Sequence, residues 1–226
     1  MNTSIARNVG IKYVLDNGLT SSFVGFPDDD SSFDSSFFNQ INLLINKRDF
    51  RNFVIDVFCT GSKKLFRTIN YSNNKLLSKY DYNIVGAVNI ILDFETFYNN
   101  SFFDVRFGVN AKYGAGEDGD YFIRAVGYKD FYYNNSLYNY HPSGESKLEK
   151  LPYLQLRARV LGYGKGVIAL LCKHKMFKQA MIVTARAPGG ALKYLMRFKL
   201  LIALTYFESF WVRLFYLIKF YFIKFK

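Results

Sequence analysis

The chain has 226 residues, half of them hydrophobic and 19% aromatic, which is enough apolar material for a sizeable core and excludes a disordered polypeptide. Its formal charge of +12 is unevenly spread. Residues 1–150 carry 16 Lys and Arg against 17 Asp and Glu, whereas residues 151–226 carry 14 Lys and Arg against one acid, Glu208. Two cysteines, Cys59 and Cys172, do not support a disulfide framework or a zinc site, and they suit a reducing compartment.

This asymmetry predicts a core over 1–150 and a basic, aromatic helical extension over 151–226. An excess of basic residues on one part of a chain points to an anionic partner, either a membrane surface or nucleic acid. No nucleic-acid-binding motif accompanies it, so the expectation is a membrane and no nucleic acid. The opening residues, Met1-Asn2-Thr3-Ser4, show no basic segment followed by an apolar run, so no signal peptide is expected.

In chain order, Ser4 to Leu15 reads as a helix capped by Ser4, with Ile5, Val9, Ile11, Tyr13 and Val14 on apolar faces. A strand is predicted over Ser22 to Phe26. It stops at Pro27 and is followed by three adjacent carboxylates, Asp28, Asp29 and Asp30. Three like charges in a row suit either a solvated turn or a site where a divalent cation neutralises them. Phe37, Ile41 and Leu44 give helical spacing within Phe33 to Asn46, and Asn52 to Thr60 alternates as a strand. The polar stretch 61–80 is a surface loop whose Gly61-Ser62-Lys63-Lys64 lacks the spacing of a phosphate-binding loop. Ile84 to Leu92 reads as a strand, and Phe94 to Tyr98 as the start of a short helix.

A glycine-punctuated loop over Asp104 to Gly116 then delivers Glu117 and Asp118 to the mouth of a helix, with Asp120 as its cap. Acids there have a bland explanation as well, because a helix N-terminus favours negative charge. Phe131 to Tyr140 is a Tyr-rich strand ending at His141-Pro142. Arg157 to Lys175 reads as a basic helix entered through a glycine-rich turn, and Pro188-Gly189-Gly190 breaks the chain. Ala191 to Lys226 follows as one or two apolar-aromatic helices. Their interspersed charges argue against a membrane span and for an interfacial helix whose lysines snorkel, or for helices packed on a domain or second subunit.

Four motifs stand in a distinctive order. They are Ser-x-Ala-Arg-Asn-x-Gly-Ile (Ser4 to Ile11), Phe-Pro-Asp-Asp-Asp (Phe26 to Asp30), Phe-Gly-Val-x-Ala-Lys-Tyr-Gly-Ala-Gly-Glu-Asp-x-Asp (Phe107 to Asp120) and Tyr-x-Tyr-His-Pro (Tyr138 to Pro142). Over about residues 2–142, and more loosely over Tyr163 to Leu171, the chain resembles the family 2 inverting glycosyltransferases with the A-type fold. The closest likeness is to bacterial members that build surface polysaccharides. The resemblance implies an α/β fold with a mixed sheet flanked by helices. It implies transfer of a sugar from a nucleotide-diphosphate sugar to a saccharide or lipid-linked acceptor. Asp28 and Asp30 would hold Mn²⁺ or Mg²⁺ with His141 completing the site. Arg7, Asn8, Asp28 and Asp29 would lie at the nucleotide sugar, Asp118 would be the general base, and Glu117 would orient the acceptor.

The family pattern normally opens with two strands that bind the nucleoside, and the resemblance here begins after them. The expectation is therefore an N-terminally truncated A-type core with a bare sheet edge. Its missing half would come from a longer reading frame or from a second chain. The alternative expectation is a catalytically inactive remnant or a membrane-bound partner subunit. Either way, the expected location is cytoplasmic, peripheral on the inner membrane surface.

Overall fold

The structure is a computed structural model that describes residues 2–46, 52–62, 64–142 and 151–223. These fall into two compact units assembled from separate segments. An α/β unit is drawn from Arg7–Phe103 and Asp118–Glu145, and a helical unit from Met1–Ala6, Asp104–Glu117 and Ser146–Lys226. The boundary expected at residue 150 lies outside the described residues.

The α/β unit is built on a four-stranded mixed sheet. Its strands are β1 (Phe23–Gly25), β2 (Asn52–Cys59), β3 (Ile90–Asp93) and β4 (Phe131–His141), in the order β1-β3-β2-β4. Strand β3 is antiparallel to both β1 and β2, whereas β2 and β4 run parallel. Strand β2 lies in the interior of the sheet and is buried along nearly its whole length. Its side chains are therefore buried on both faces, apolar apart from Asn52 and Asp56, and do not alternate in and out. Helix α2 (Ser35–Asn46) lays Phe37 and Ile41 on Phe53, Ile55, Ile91 and Leu137. Asp34 starts that helix by accepting from the Phe37 N–H at 3.1 Å.

The edges are covered or short, contrary to the bare edge expected. Strand β1 has three residues. The free side of β4 takes up Leu76 opposite Tyr132 and Ser32 opposite Tyr140 as isolated bridges. A short or covered edge removes the template for edge-to-edge pairing.

The strand expected over Ile84 to Leu92 is mostly something else. One short 3₁₀ turn, Lys79–Ile84, ends at its first residue, a second spans Ala87–Asn89, and β3 begins only at Ile90. The cause is Asn89. Its side chain accepts from the Gly86 N–H at 2.9 Å and donates to the carbonyls of Ile84 and Ile55, both at 3.1 Å, so the backbone here is tied into a turn. Helix α3 (Phe94–Asn100) follows, started by Asp93, and helix α4 (Glu117–Val126) carries Glu117 and Asp118 inside its first turn.

Helix α1 (Thr3–Asp16) starts one residue earlier than expected, and Asn2 caps it in place of Ser4. Asn2 Oδ1 accepts from the Ser4 N–H at 2.9 Å, which leaves the buried Ser4 hydroxyl to donate to the Phe107 carbonyl at 2.8 Å.

Among the described residues, the helical unit also holds four helices: α5 (Tyr153–Lys173), α6 (Phe177–Ala185), α7 (Ala187–Leu195) and α8 (Leu200–Phe222). The glycines of Gly162-Tyr163-Gly164-Lys165-Gly166 lie inside α5 and do not form an entry turn. They allow close approach. A Cβ on Gly166 would sit 2.5 Å from the Ala115 carbonyl oxygen, and one on Gly164 would sit 2.6 Å from Ser209 Oγ. Pro188 stands in the first turn of α7, where its missing N–H costs nothing, so it marks the break after α6 and does not interrupt a helix. Cys59 and Cys172 are both buried and unbonded to each other.

Candidate functional site

Three separate stretches of the α/β unit meet around Arg7. The end of β1 delivers the first. Phe26 packs edge-on against Phe103 and Tyr121, each 5.2 Å between ring centres, and this anchors the chain just before Pro27 and the acids. The acidic turn is then tied down twice. Ser31 Oγ donates to the Asp28 carbonyl at 2.7 Å, and Ser32 exchanges two 2.9 Å backbone hydrogen bonds with Tyr140. Tyr140 immediately precedes His141, so the Ser32–Tyr140 bridge brings the aspartates to the histidine.

His141 Nε2 lies 3.1 Å from Asp30 Oδ1 and 3.5 Å from Asp28 Oδ2. Its ring packs edge-on with Phe66, 5.2 Å between ring centres. Two ligands at right angles around a Mg²⁺ ion stand about 3 Å apart, given metal–oxygen distances of about 2.1 Å. Two carboxylates and an imidazole at these separations are thus a chemically suitable donor set. Among the described residues, however, no group of three or more His, Cys, Asp or Glu is already arranged around one point to hold a metal ion. The side chains of Asp28 and Asp30 are 37% and 42% exposed.

Arg7 provides the second connection. Its Nη1 donates to Asp118 Oδ1 at 2.8 Å and its Nη2 to Asp28 Oδ1 at 3.0 Å. The guanidinium rests over the Phe103 ring, 5.3 Å from its centre. Asn8 fixes that ring: its amide donates to the Phe103 carbonyl at 2.9 Å and accepts from the Phe103 N–H at 2.7 Å. Asn8 therefore acts on the site through Phe103.

Asp118 stands in the first turn of α4 with its side chain 26% exposed. Burial, reinforced by the nearby charge of Asp28, raises its pKa above the usual carboxylate value, against the pull of Arg7 and of the Ala87 N–H. Asp120, expected to cap this helix, is instead fully buried. It pairs with Arg124 at 3.1 Å, and Arg124 in turn holds the carbonyls of Asn100 and Phe102.

Arg7, Asn8, Asp28, Asp30, Asp118 and His141 are thus neighbours within one unit. Asp29, between two of them, points into solvent. Glu117 belongs to the helical unit, where it lies beside Gly108. The reading from sequence missed Phe103, Phe66 and Ala87. Nothing in their local spacing marks them, because they act through aromatic rings and a backbone N–H. Comparisons of the chain with protein families, with curated proteins and with solved structures returned no match.

Proposed function

We propose that this chain transfers a sugar, with inversion, from a nucleotide-diphosphate sugar to a hydroxyl of a saccharide or lipid-linked acceptor in polysaccharide synthesis. The observation that supports the reading is that Arg7 pairs with both Asp28 and Asp118 while His141 lies against Asp28 and Asp30, so that one cluster joins four stretches of the chain. The roles given to these residues below are those that the resemblance to the A-type family 2 glycosyltransferases implies.

In this reading Asp118 takes the proton from the acceptor hydroxyl as its oxygen bonds to the anomeric carbon and the bond from that carbon to the diphosphate breaks. Its raised pKa strengthens it as a base. Asp28, Asp30 and His141 would hold Mn²⁺ or Mg²⁺, which when bound supplies charge stabilisation to the leaving diphosphate. Arg7 orients Asp118 against Asp28 and offers a fixed cation to the same phosphates. Asp29 and Asn8 border the donor, and Glu117, next to the base in sequence, would orient the acceptor.

A second reading, a non-catalytic partner subunit, rests on Arg7 too. By pairing with Asp28 and Asp118 it neutralises both within the chain, with no substrate required. Calorimetric titration with UDP, with and without Mn²⁺, followed by a nucleotide-sugar turnover screen, separates the two. Metal-dependent UDP binding that Asp30→Ala removes, with transfer that Asp118→Asn abolishes while binding persists, is the expected result. Full transfer by Asp118→Asn would overturn the assignment of the base, and absence of UDP binding favours the partner subunit.

A further inference from the structure

We infer that the helical unit docks on an anionic lipid surface through one face of α8 and the α7–α8 connection, lying in the interface without crossing it. This rests on the helical unit alone and stands or falls independently of the sugar chemistry.

Helix α8 has two opposite faces. One buries Thr205, Ser209 and Phe220 and is seated by close contacts, Ser209 against Gly164 and Tyr206 against Gly190. Arg213, on the same side, donates to the Val183 carbonyl at 3.0 Å. The other face carries Leu204, Phe207, Trp211, Phe215, Ile218 and Phe222, spaced three or four residues apart, and each is at least 49% exposed. That spacing places them on one stripe about 27 Å long at 1.5 Å per residue. Monomeric soluble proteins rarely leave an apolar patch of this kind uncovered. Exposed Leu200 and Leu201 carry this apolar surface back to the α7–α8 connection, where Phe198, held in the left-handed backbone region at φ 56°, is 91% exposed. Basic residues are interleaved there, with Lys193 and Arg197 both exposed beside Met196 and Phe198.

Charge selects the occupant. Residues 151–226 have 14 Lys and Arg, and their one acid, Glu208, is ion-paired with Arg157. A second copy of this surface would bring like charge against like, whereas anionic headgroups complement it. Each basic residue near such a surface contributes about 1 kcal/mol. By length and composition α8 is also apolar enough to span a membrane. Its buried polar face, fixed on α5 and α6 by Ser209 and Arg213, argues for insertion by the outer stripe only.

Trp211 is the single tryptophan of the chain and sits mid-stripe, so it reports directly. The full chain should be mixed with vesicles of phosphatidylcholine alone and of phosphatidylcholine with phosphatidylglycerol. Expected are a blue shift of Trp211 emission and quenching by brominated acyl chains with anionic vesicles, weakened at high salt and released by carbonate. Trp211 emission unchanged in lipid excess overturns the proposal. So does an equal response to duplex DNA, or a shift that follows protein concentration without vesicles and accompanies a doubled mass by light scattering. Retention through carbonate extraction overturns the interfacial placement. Phe207→Glu with Phe215→Glu, both at exposed positions, should abolish vesicle flotation while leaving the helical circular dichroism unchanged. Lys193→Glu with Arg197→Glu should reduce flotation about tenfold and remove its preference for anionic lipid.

Discussion

Arg7 and Asp118 are joined by a 2.8 Å ion pair across 111 residues of sequence, and the same guanidinium reaches Asp28 at 3.0 Å. One planar fork thus holds two carboxylates that would otherwise repel. Removing it with Arg7→Ala leaves them facing each other without a cation. Breaking a buried pair costs about 3–5 kcal/mol, and because Asp28 is more than a third exposed the cost here should be nearer 1–3 kcal/mol. Thermal or urea unfolding measures it. Arg7→Lys should recover part of the loss, because an ammonium cannot bridge both acids in the same way. If the aspartates form a metal site, Mn²⁺ should stabilise the Arg7→Ala variant more than the parent chain.

The same geometry sets the titration of Asp118. Its folded pKa is raised by burial and by Asp28, so its stabilising contribution is complete below the unfolded value of about 3.9 and is lost as pH rises through the folded value. Carbon-13 NMR of the Asp118 carboxyl should show titration above the ordinary carboxylate range, and Asp28→Asn should bring it down. In transfer assays the rate should fall on the acid side through that same raised pKa. A limb at the ordinary Asp value would separate the base from Asp118.

Much of this was readable in the residues, for physical reasons that differ along the chain. Phe37 and Ile41 announce α2 because a helix with one buried face must repeat near 3.6 residues. Asp28, Asp30, Asp118 and His141 were legible only as ordered motifs, since no local pattern shows that Ser32 pairs with Tyr140 and so carries the acids to the histidine. The segment 84–92 misled because its apolar residues fit a strand, while one side chain, Asn89, holds the backbone in a turn. Gly162, Gly164 and Gly166 misled in the opposite way. Glycine in a helix is unfavourable by propensity, and its reason here lies in chain segments that the local sequence does not contain.

A further test concerns Asp56, an acid in the middle of β2 with 6% of its surface exposed. It accepts a hydrogen bond from the Tyr133 hydroxyl at 2.6 Å across the parallel β2–β4 pair. Burial raises its pKa and the Tyr133 bond opposes the rise. A raised value means that its contribution to stability is complete below the unfolded pKa and declines as pH rises through the folded one. Tyr133→Phe removes the opposing bond and raises the pKa further. The variant should lose about 1–3 kcal/mol near neutral pH, the cost of an unpaired buried polar group, and less at pH values below the ordinary Asp range. Urea midpoints at the two pH values give the comparison. Equal losses at both would show that Asp56 does not titrate in this interval.

The helical unit offers a test of close packing that is independent of charge. At Gly166 an added Cβ would lie 2.5 Å from the Ala115 carbonyl oxygen and 2.8 Å from that of Tyr113, both backbone atoms that cannot rotate away. Replacing glycine by alanine within a helix ordinarily gains up to about 1 kcal/mol. Here the clash should reverse the sign, with a net loss of roughly 1–3 kcal/mol as α5 is pushed off the 104–117 segment. Gly189→Ala in α7 is the control, because nothing lies within 4 Å of its added Cβ, and it should be neutral or slightly stabilising. Chemical denaturation of both variants separates helix propensity from contact. A Gly166→Ala protein as stable as the Gly189→Ala protein would mean that α5 and the 113–115 backbone do not approach this closely in solution.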